Sequence, residues 1–418
     1  MSSSRVTNLL VAYLALVCAF LPYVGWSPSL GAISEELSLS YSQAGGISSI
    51  TGLVAGAMIL IGGVVASRWG CKSVIVVGLA SGVLGQAVFA MAQGFELVVV
   101  ARVLAGVSVG FLWVSTYTMA VNWFRDSRKT GRALGVMLSG DGVGAVLSLF
   151  VFSAVLAAFG WRTGLTVQAV VMGVVLVLVL VVSRNAPVAG PENSQSSVSP
   201  TAAPFSSDAT YRSLLNRNVV AAVLIWVGGV GLFAAISSWM PSILVEDAGM
   251  SESLAGLLTA LFSIAGSAAA LTVPLLAERI GGTKKIIMVA GFVTAAALAA
   301  LTLFLSTGHY LLVVLLVPVI GIGVYASESL TLAEAIESVQ PKFAGVVNGI
   351  IIGTPWLVSG FAYPYLLGAV KDATGSFVQG FSVLTVLTVG LCAVTPLFMR
   401  ETAAHVDQPS PSPVPVRP

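Results

Sequence analysis

Arg102 and Asp141 are the residues whose placement points to chemistry, because each stands inside a long apolar run. A charge at bilayer depth costs from about 3 to over 10 kcal/mol, so it is retained where it has a use. Arg102 lies in ELVVVARVLAGVSVGFLWVSTYTMAVNWF and Asp141 in VMLSGDGVGAVLSLFVFSAVLAAFGWR, joined by RDSRKTGRALG, which carries Arg125, Arg128, Lys129 and Arg132. With about 1.5 Å of rise per residue and an apolar core about 30 Å thick, the two charges are roughly 7 Å apart in depth. A long Arg side chain largely covers that gap, so the expected arrangement is a pair. An ionised Asp141 would hold the guanidinium, and a protonated one would release it for bidentate capture of a carboxylate or other oxyanion. Asp141 is thus the expected proton carrier and Arg102 the expected solute ligand; the competing reading is a static pair that ties two helices together.

Such charges are rare here. Of 418 residues 57% are hydrophobic and 9% charged, whereas about 25% are charged in a soluble domain; the mean hydropathy is +0.98. Most of the chain therefore belongs in lipid. Runs near the length of about 20 residues that crosses a bilayer lie near 7–27, 43–66, 73–93, 97–121, 131–158 and 162–183, and near 218–240, 252–277, 285–306, 310–332, 342–367 and 378–399. In lipid only helices and closed barrels satisfy their own backbone, and these runs are too long for barrel strands. The expected fold is all-α, with twelve transmembrane helices in two halves of six. The first run is too long for a cleavable signal, lacks a small-residue cleavage site and is followed by eleven others.

Cys18, Cys71 and Cys392 fall in separate regions without metal spacing, so neither a disulfide framework, a metal nor a cofactor is expected. No G-x-x-x-x-G-K-[ST] loop is present, which argues against a primary pump. Two His and three scattered Cys provide no constellation of nucleophile and base, so the chain is not read as an enzyme. The expected partners are a small solute, protons and the bilayer, with no nucleic acid, and the chain is expected to work as a monomer.

The loop bases, from Arg5 and Arg68 through Arg400 and Arg417, fall on one side, and only Arg162 and Lys371 fall opposite. The positive-inside rule then places both termini in the cytoplasm of a multi-pass plasma-membrane protein, the cytoplasmic membrane if bacterial. Residues 185–216, rich in Pro and Ser, have the composition of a flexible cytoplasmic linker between halves 1–184 and 217–400. The tail 401–418, ending QPSPSPVPVRP, is expected to be disordered with local polyproline character.

The halves echo one another. Gly63–Lys72 reads GVVASRWGCK and Pro274–Lys285 reads PLLAERIGGTKK. Both resemble the loop pattern G-x-x-x-D-R-x-G-R-K of the major facilitator superfamily. The first copy departs from it with Ser67 at the acidic position and Cys71 at a basic one; the second keeps Glu278 and Arg279, although Pro274 replaces Gly. The resemblance implies the major facilitator fold, two pseudo-symmetric halves of inverted three-helix repeats with one site near the midplane between them. It also implies that Glu278 and Arg279 latch the cytoplasmic ends while the carrier faces outward, with Arg132 as partner of Glu278. Arg68, Lys72, Lys284 and Lys285 are more simply topology determinants.

In the fourth run ARVLAGVSVG resembles the R-x-x-x-G signature of that superfamily. Arg102, Gly106, Gly110, Trp113 and Tyr117 recur at helical spacing and share a face. The glycines are read as packing positions, while Trp113 and Tyr117 line a cavity or fill core. Trp123, Phe124, Arg128, Gly131, Ala133, Gly135, Gly140, Gly144 and Gly160-Trp161-Arg162 resemble the organic-anion branches: the monocarboxylate, oxalate/formate and nitrate porters. Monocarboxylate carriers place an Arg in the eighth span, but Ser253–Ala277 holds no base.

In the second half Glu328 is either an inner-gate partner or a solvated interfacial carboxylate, and Glu334 and Glu337 are expected in a cytoplasmic loop. Asn348, Trp356 and Tyr363 are cavity or hinge candidates on a span that Pro355 and Pro364 can bend. The expected substrate-binding set is therefore Arg102, Trp113, Tyr117, Asn348 and Trp356, with Asp141 coupling protons. The expected cytoplasmic gate is Arg68, Arg132, Glu278, Arg279 and Glu328. Together these describe proton-coupled symport of a small organic or inorganic anion by alternating access. The alternatives are proton-coupled efflux of an apolar compound, for which the Gly140–Gly144 cluster partly resembles G-P-x-x-G-G with Asp141 at the Pro position, and a transporter-like receptor.

Overall fold

A computed structural model describes residues 3–124, 130–186, 216–340 and 343–400. Twelve helices there are long and apolar enough to span a membrane. The first six spans are Ser4–Glu36, Tyr41–Trp69, Cys71–Ala90, Phe95–Phe124, Ala133–Phe159 and Trp161–Val182. The second six are Arg217–Glu246, Glu252–Ala277, Thr283–Ser306, Tyr310–Glu337, Gly345–Thr374 and Phe377–Phe398. Apart from its first two residues and its last, the expected linker lies outside the described residues, as does the tail.

Local signals start and stop these helices. Ser40 and Gln43 form a reciprocal capping box on the second span, and Asn216 and Ser251 cap the seventh and eighth. Gly70 and Gly281, at φ 81° and 72°, turn the chain between the second and third spans and between the eighth and ninth.

The halves repeat their tertiary bonds as well as their loops. Asn8 accepts a hydrogen bond from Arg184 N at 2.8 Å, and Asn218 accepts one from Arg400 N at 2.9 Å. Lys72 Nζ donates to Leu180 O at 2.8 Å, and Lys284 Nζ donates to Met399 O at 2.7 Å and Leu397 O at 3.0 Å. Each lysine thus brings a cation to the carbonyl end of the last span of its own half, where the helix dipole favours one. That is a second use for loop bases expected only to set topology.

The halves meet along two seams, second span against eleventh and fifth against eighth. Closest approach is at small residues: a Cβ at Gly45, Gly52 or Gly56 would press into the backbone of the eleventh span, and one at Gly256 into Leu149 O. The fourth and tenth spans pack against helices of their own halves.

A set of hydrogen bonds joins the halves toward the end remote from both termini, here the far end. Asp372 accepts from Tyr41 N at 2.9 Å, Ser42 N at 2.7 Å and Ser42 Oγ at 2.5 Å. Ser29 Oγ donates to Glu252 at 2.7 Å, Ser27 Oγ to Ser237 O at 2.9 Å, and Ser238 Oγ to Ser48 Oγ at 2.7 Å. The Asp372 carboxylate therefore satisfies free N–H groups at the positive end of the second-span helix. This state is closed at the far end. Asp372→Asn should weaken the closure by about 1 kcal/mol, the small figure reflecting exposure and screening. Spin labels at Gln93 and Ser306 should then report a longer-distance population; an unchanged distribution would show that the serine bonds alone hold the end shut.

Candidate functional site

The first span is not one helix. It runs from Ser3 to Val24, turns through Ser27–Ser29 around Pro28, and resumes at Leu30. A helix that stops inside the bundle leaves carbonyls without intrahelical donors, and lipid supplies no water to replace them. Side chains from two other spans and one from the first span itself take up the task. Arg102 Nη1 donates to Pro22 O at 2.7 Å, Gln168 Nε2 donates to Gly25 O at 3.0 Å, and Trp26 Nε1 closes on Tyr23 O at 2.8 Å. Gln86 links the set, accepting from Arg102 Nη2 at 3.3 Å and donating to Gln168 Oε1. The guanidinium lies 4.4 Å from the Phe89 ring centroid and 5.8 Å from that of Trp26, and Arg102 is 0% exposed.

This corrects the expected Arg102–Asp141 pair: the structure does not bring the two together. The guanidinium is drawn to the carbonyl end of a broken helix, where a cation is favoured. Asp141 is 9% exposed, and its Oδ1 has no hydrogen-bond partner. It neighbours Tyr117 of its own half and, across the seam, Tyr325 and Glu328 of the tenth span.

Glu328 was expected near the cytoplasmic gate, but the tenth helix runs on to Glu337, about 13 Å of further rise. That places Glu328 inside the bundle, half-buried, so close to Gly229 of the seventh span that a Cβ there would collide with its Oε1. Trp226 Nε1 donates to Glu328 O at 3.1 Å. Glu334 likewise lies buried in the helix rather than in a loop. Two carboxylates from opposite halves thus face a common interior. Apart from Arg102, the described bases all stand at helix ends or beyond them.

Beside the acids, rings from six spans meet. Trp113 packs on Trp356 with centroids 4.9 Å apart, Tyr23 on Trp356 at 5.1 Å, and Tyr23 on Phe233 at 5.6 Å, the last stacked. These three contacts cross between the halves. Phe20 backs Trp113 at 5.5 Å, and Phe262 connects Phe233, at 5.9 Å, to Tyr325, at 6.1 Å. The cluster therefore ends against the acids. Of the expected residues, Trp113 and Trp356 meet in the ring cluster and Tyr117 neighbours Asp141, whereas Asn348 is half-buried about 12 Å of helix rise from Trp356 toward the near end.

Other expected residues have other places. Gly106 and Gly110 let the fourth span approach the second, a Cβ at each falling 2.8 Å from Thr51 O and 2.6 Å from Ala55 O. In Gly160-Trp161-Arg162, Glu36 accepts from Trp161 Nε1 at 2.6 Å and pairs with Arg162 at 2.9 Å, while Arg162 Nη1 donates to Ala90 O at 2.7 Å. That motif staples the far ends of the first, third and sixth spans. Arg68 and Arg279 are exposed in the last turns of their helices. The side chains of Glu278, Arg132, Gly131 and Arg128 lie outside the described residues, so the expected Glu278–Arg132 latch does too. No group of three or more His, Cys, Asp or Glu among the described residues is placed to hold a metal.

Sequence reasoning passed over Gln86 and Gln168, and Tyr23, Phe233 and Phe262 within the ring cluster. The signal for the first group was present: Pro22 and Pro28 bracket a break inside an apolar run, and polar side chains must answer it.

The sequence profile of the Major Facilitator Superfamily matches residues 12–364. A hexuronate transporter of Bacillus subtilis is 28% identical over 161 residues, 38% of each chain. A probable sulfoacetate transporter of Cupriavidus necator is 25% identical over 413 residues, covering 94% of this chain and 92% of its own. Among solved structures, the nucleoside transporter NupG superposes with a TM-score of 0.72 at 14% identity, covering 94% of this chain and 100% of its own. Twelve spans in two repeated halves, the loop motifs and the matched profile lead to one conclusion: the chain is a member of the major facilitator superfamily.

Proposed function

We propose that this transporter carries a small organic anion across the membrane together with protons, by alternating access. One observation carries the reading: buried Asp141, with an unpartnered Oδ1, faces Glu328 of the opposite half in an interior to which the described helices bring no free base. While both acids are ionised the site repels an anion. Once protonated, each carboxyl becomes a hydrogen-bond donor to a carboxylate, as neutral acids in apolar sites do. Proton and anion then bind together, and their joint preference for one state drives the rocking of halves 1–184 and 217–400. The relatives named as hexuronate and sulfoacetate transporters support an anionic solute.

The test is uptake into proteoliposomes. Radiolabelled carboxylates should accumulate under an inward proton gradient and leak out when a protonophore is added; downhill equilibration indifferent to the gradient would remove proton coupling. Binding without flux would make the protein a receptor.

The acids beside aromatic rings also favour a second reading, proton-driven efflux of an apolar cation. The two differ in sign. Anion affinity should rise as pH falls and the acids take up protons, whereas cation affinity should rise as pH increases. Titration of binding at several pH values separates them.

The bias of basic residues supports the near end and both termini as cytoplasmic. A cysteine introduced at Ser196 should resist impermeant thiol reagents in intact cells, and labelling from outside would invert the topology.

A further inference from the structure

The geometry points to a narrower substrate class: we propose that the solute is a carboxylic acid with a flat, aromatic or conjugated body, held between Tyr23 and Trp113 of one half and Phe233 and Trp356 of the other. This rests on the proton-coupled anion reading and adds the shape of the cargo.

Of the ring contacts that cross between the halves, Trp113–Trp356, Tyr23–Trp356 and Tyr23–Phe233 lie near the middle of their spans, whereas those of Tyr41 with Trp239 and Phe377 lie at the far end. Rocking of the halves must part these rings and expose their faces. A flat solute restores face and edge contacts to both sides, so it binds the parted state differently from the closed one, which is the condition for driving the change. A small inorganic oxyanion offers no such replacement. It would also need a cation, and Arg102 is held by Pro22 O, Gln86 and the Phe89 ring.

A polyhydroxylated acid fits poorly for a different reason. The walls are mostly ring carbon, and their polar atoms are few: the buried Tyr23 Oη and the indole N–H groups of Trp113 and Trp356. Most sugar hydroxyls entering would leave water without a replacement partner, a cost that a hydrocarbon body does not meet. The head group is accounted for separately. The cluster runs through Phe262 to Tyr325, which neighbours Asp141, so a carboxylate at the acid end leaves the body among the rings.

The test is ligand-induced thermal stabilisation of the purified full chain at low pH, with cinnamate, 3-cyclohexylpropionate, galacturonate, nitrate and tetraphenylphosphonium as probes. Cinnamate is expected to bind at least tenfold more tightly than galacturonate, nitrate or the saturated cyclohexyl analogue. Trp113→Leu should cost cinnamate about tenfold while leaving galacturonate unaffected, and Trp113→Phe should restore most of the loss; Phe233→Leu serves if Trp113→Leu does not fold. Galacturonate or nitrate binding as tightly as cinnamate overturns the flat-body inference and leaves the anion reading standing. Equal binding of the cyclohexyl analogue, an equal loss for both probes in the variants, or no stabilisation by cinnamate also overturns it. Stabilisation by tetraphenylphosphonium alone, strengthening as pH rises, overturns the anion reading itself.

Discussion

Asp141→Asn should abolish proton-driven accumulation and leave exchange of solute across the membrane measurable. A gradient of one pH unit supplies about 1.4 kcal/mol for each proton moved, roughly a tenfold concentration of solute. A carrier that cannot release a proton gains none of it, so the accumulation ratio should fall to about one. Asn keeps nearly the same volume and still donates a hydrogen bond to a carboxylate, as the protonated acid would. Binding should therefore survive and lose much of its dependence on pH. Glu328→Gln should retain accumulation, because Asp141 remains to carry the proton, and the flux of protons per solute measures this directly. Normal accumulation by Asp141→Asn would move the coupling to Glu328 or out of this interior altogether. The unpartnered Oδ1 makes the substitution informative, because no ion pair or hydrogen bond of the resting protein is lost with it.

The spans were legible because the bilayer imposes their length: Cys71–Ala90 and Trp161–Val182 fall close to the apolar runs that announce them. Arg102 and Asp141 were legible as residues, since a charge within such a run needs a reason. Their partners were not. Depth along a helix can be counted from sequence, but rotation about the helix axis is set by packing, and apolar residues all round the second to fifth spans leave that rotation unspecified. The principal partner of Arg102 proved to be a main-chain oxygen, Pro22 O, which carries no side-chain signature. Tyr23, Phe233 and Phe262 were hidden differently. In a chain with 18 Phe and 8 Trp, an aromatic residue facing a solute looks the same in sequence as one facing lipid. Asp372 shows what can be recovered, since an acid placed to meet the start of another helix complements its dipole wherever that helix begins.

Arg102→Leu should destabilise the protein by about 3 kcal/mol, with or without solute present. The guanidinium makes a charge-assisted bond to Pro22 O, and bonds to charged groups contribute about 1.5–3 kcal/mol each. Its place over Phe89 adds about 1–2 kcal/mol in a desolvated setting. Leucine fills much of the volume but leaves Pro22 O and Gln86 Oε1 without their donor, where lipid offers no water in exchange. Gln86 and Gln168 can close part of the gap through their own bond, which keeps the loss below the sum of the parts. Arg102→Lys should fall between, because an ammonium retains the charge at the carbonyl end but cannot reach both acceptors with a planar fork. The measurement is the melting temperature of each variant in detergent, set beside Asp141→Asn, which should melt near the parent protein. Were Arg102→Leu to melt normally and lose solute affinity, the guanidinium would be a ligand of the solute and the bonds to Pro22 and Gln86 its resting place. Were it to melt early while the surviving folded fraction still binds solute in a pH-dependent way, the protons on Asp141 and Glu328 would be left as the counter-charge for the anion.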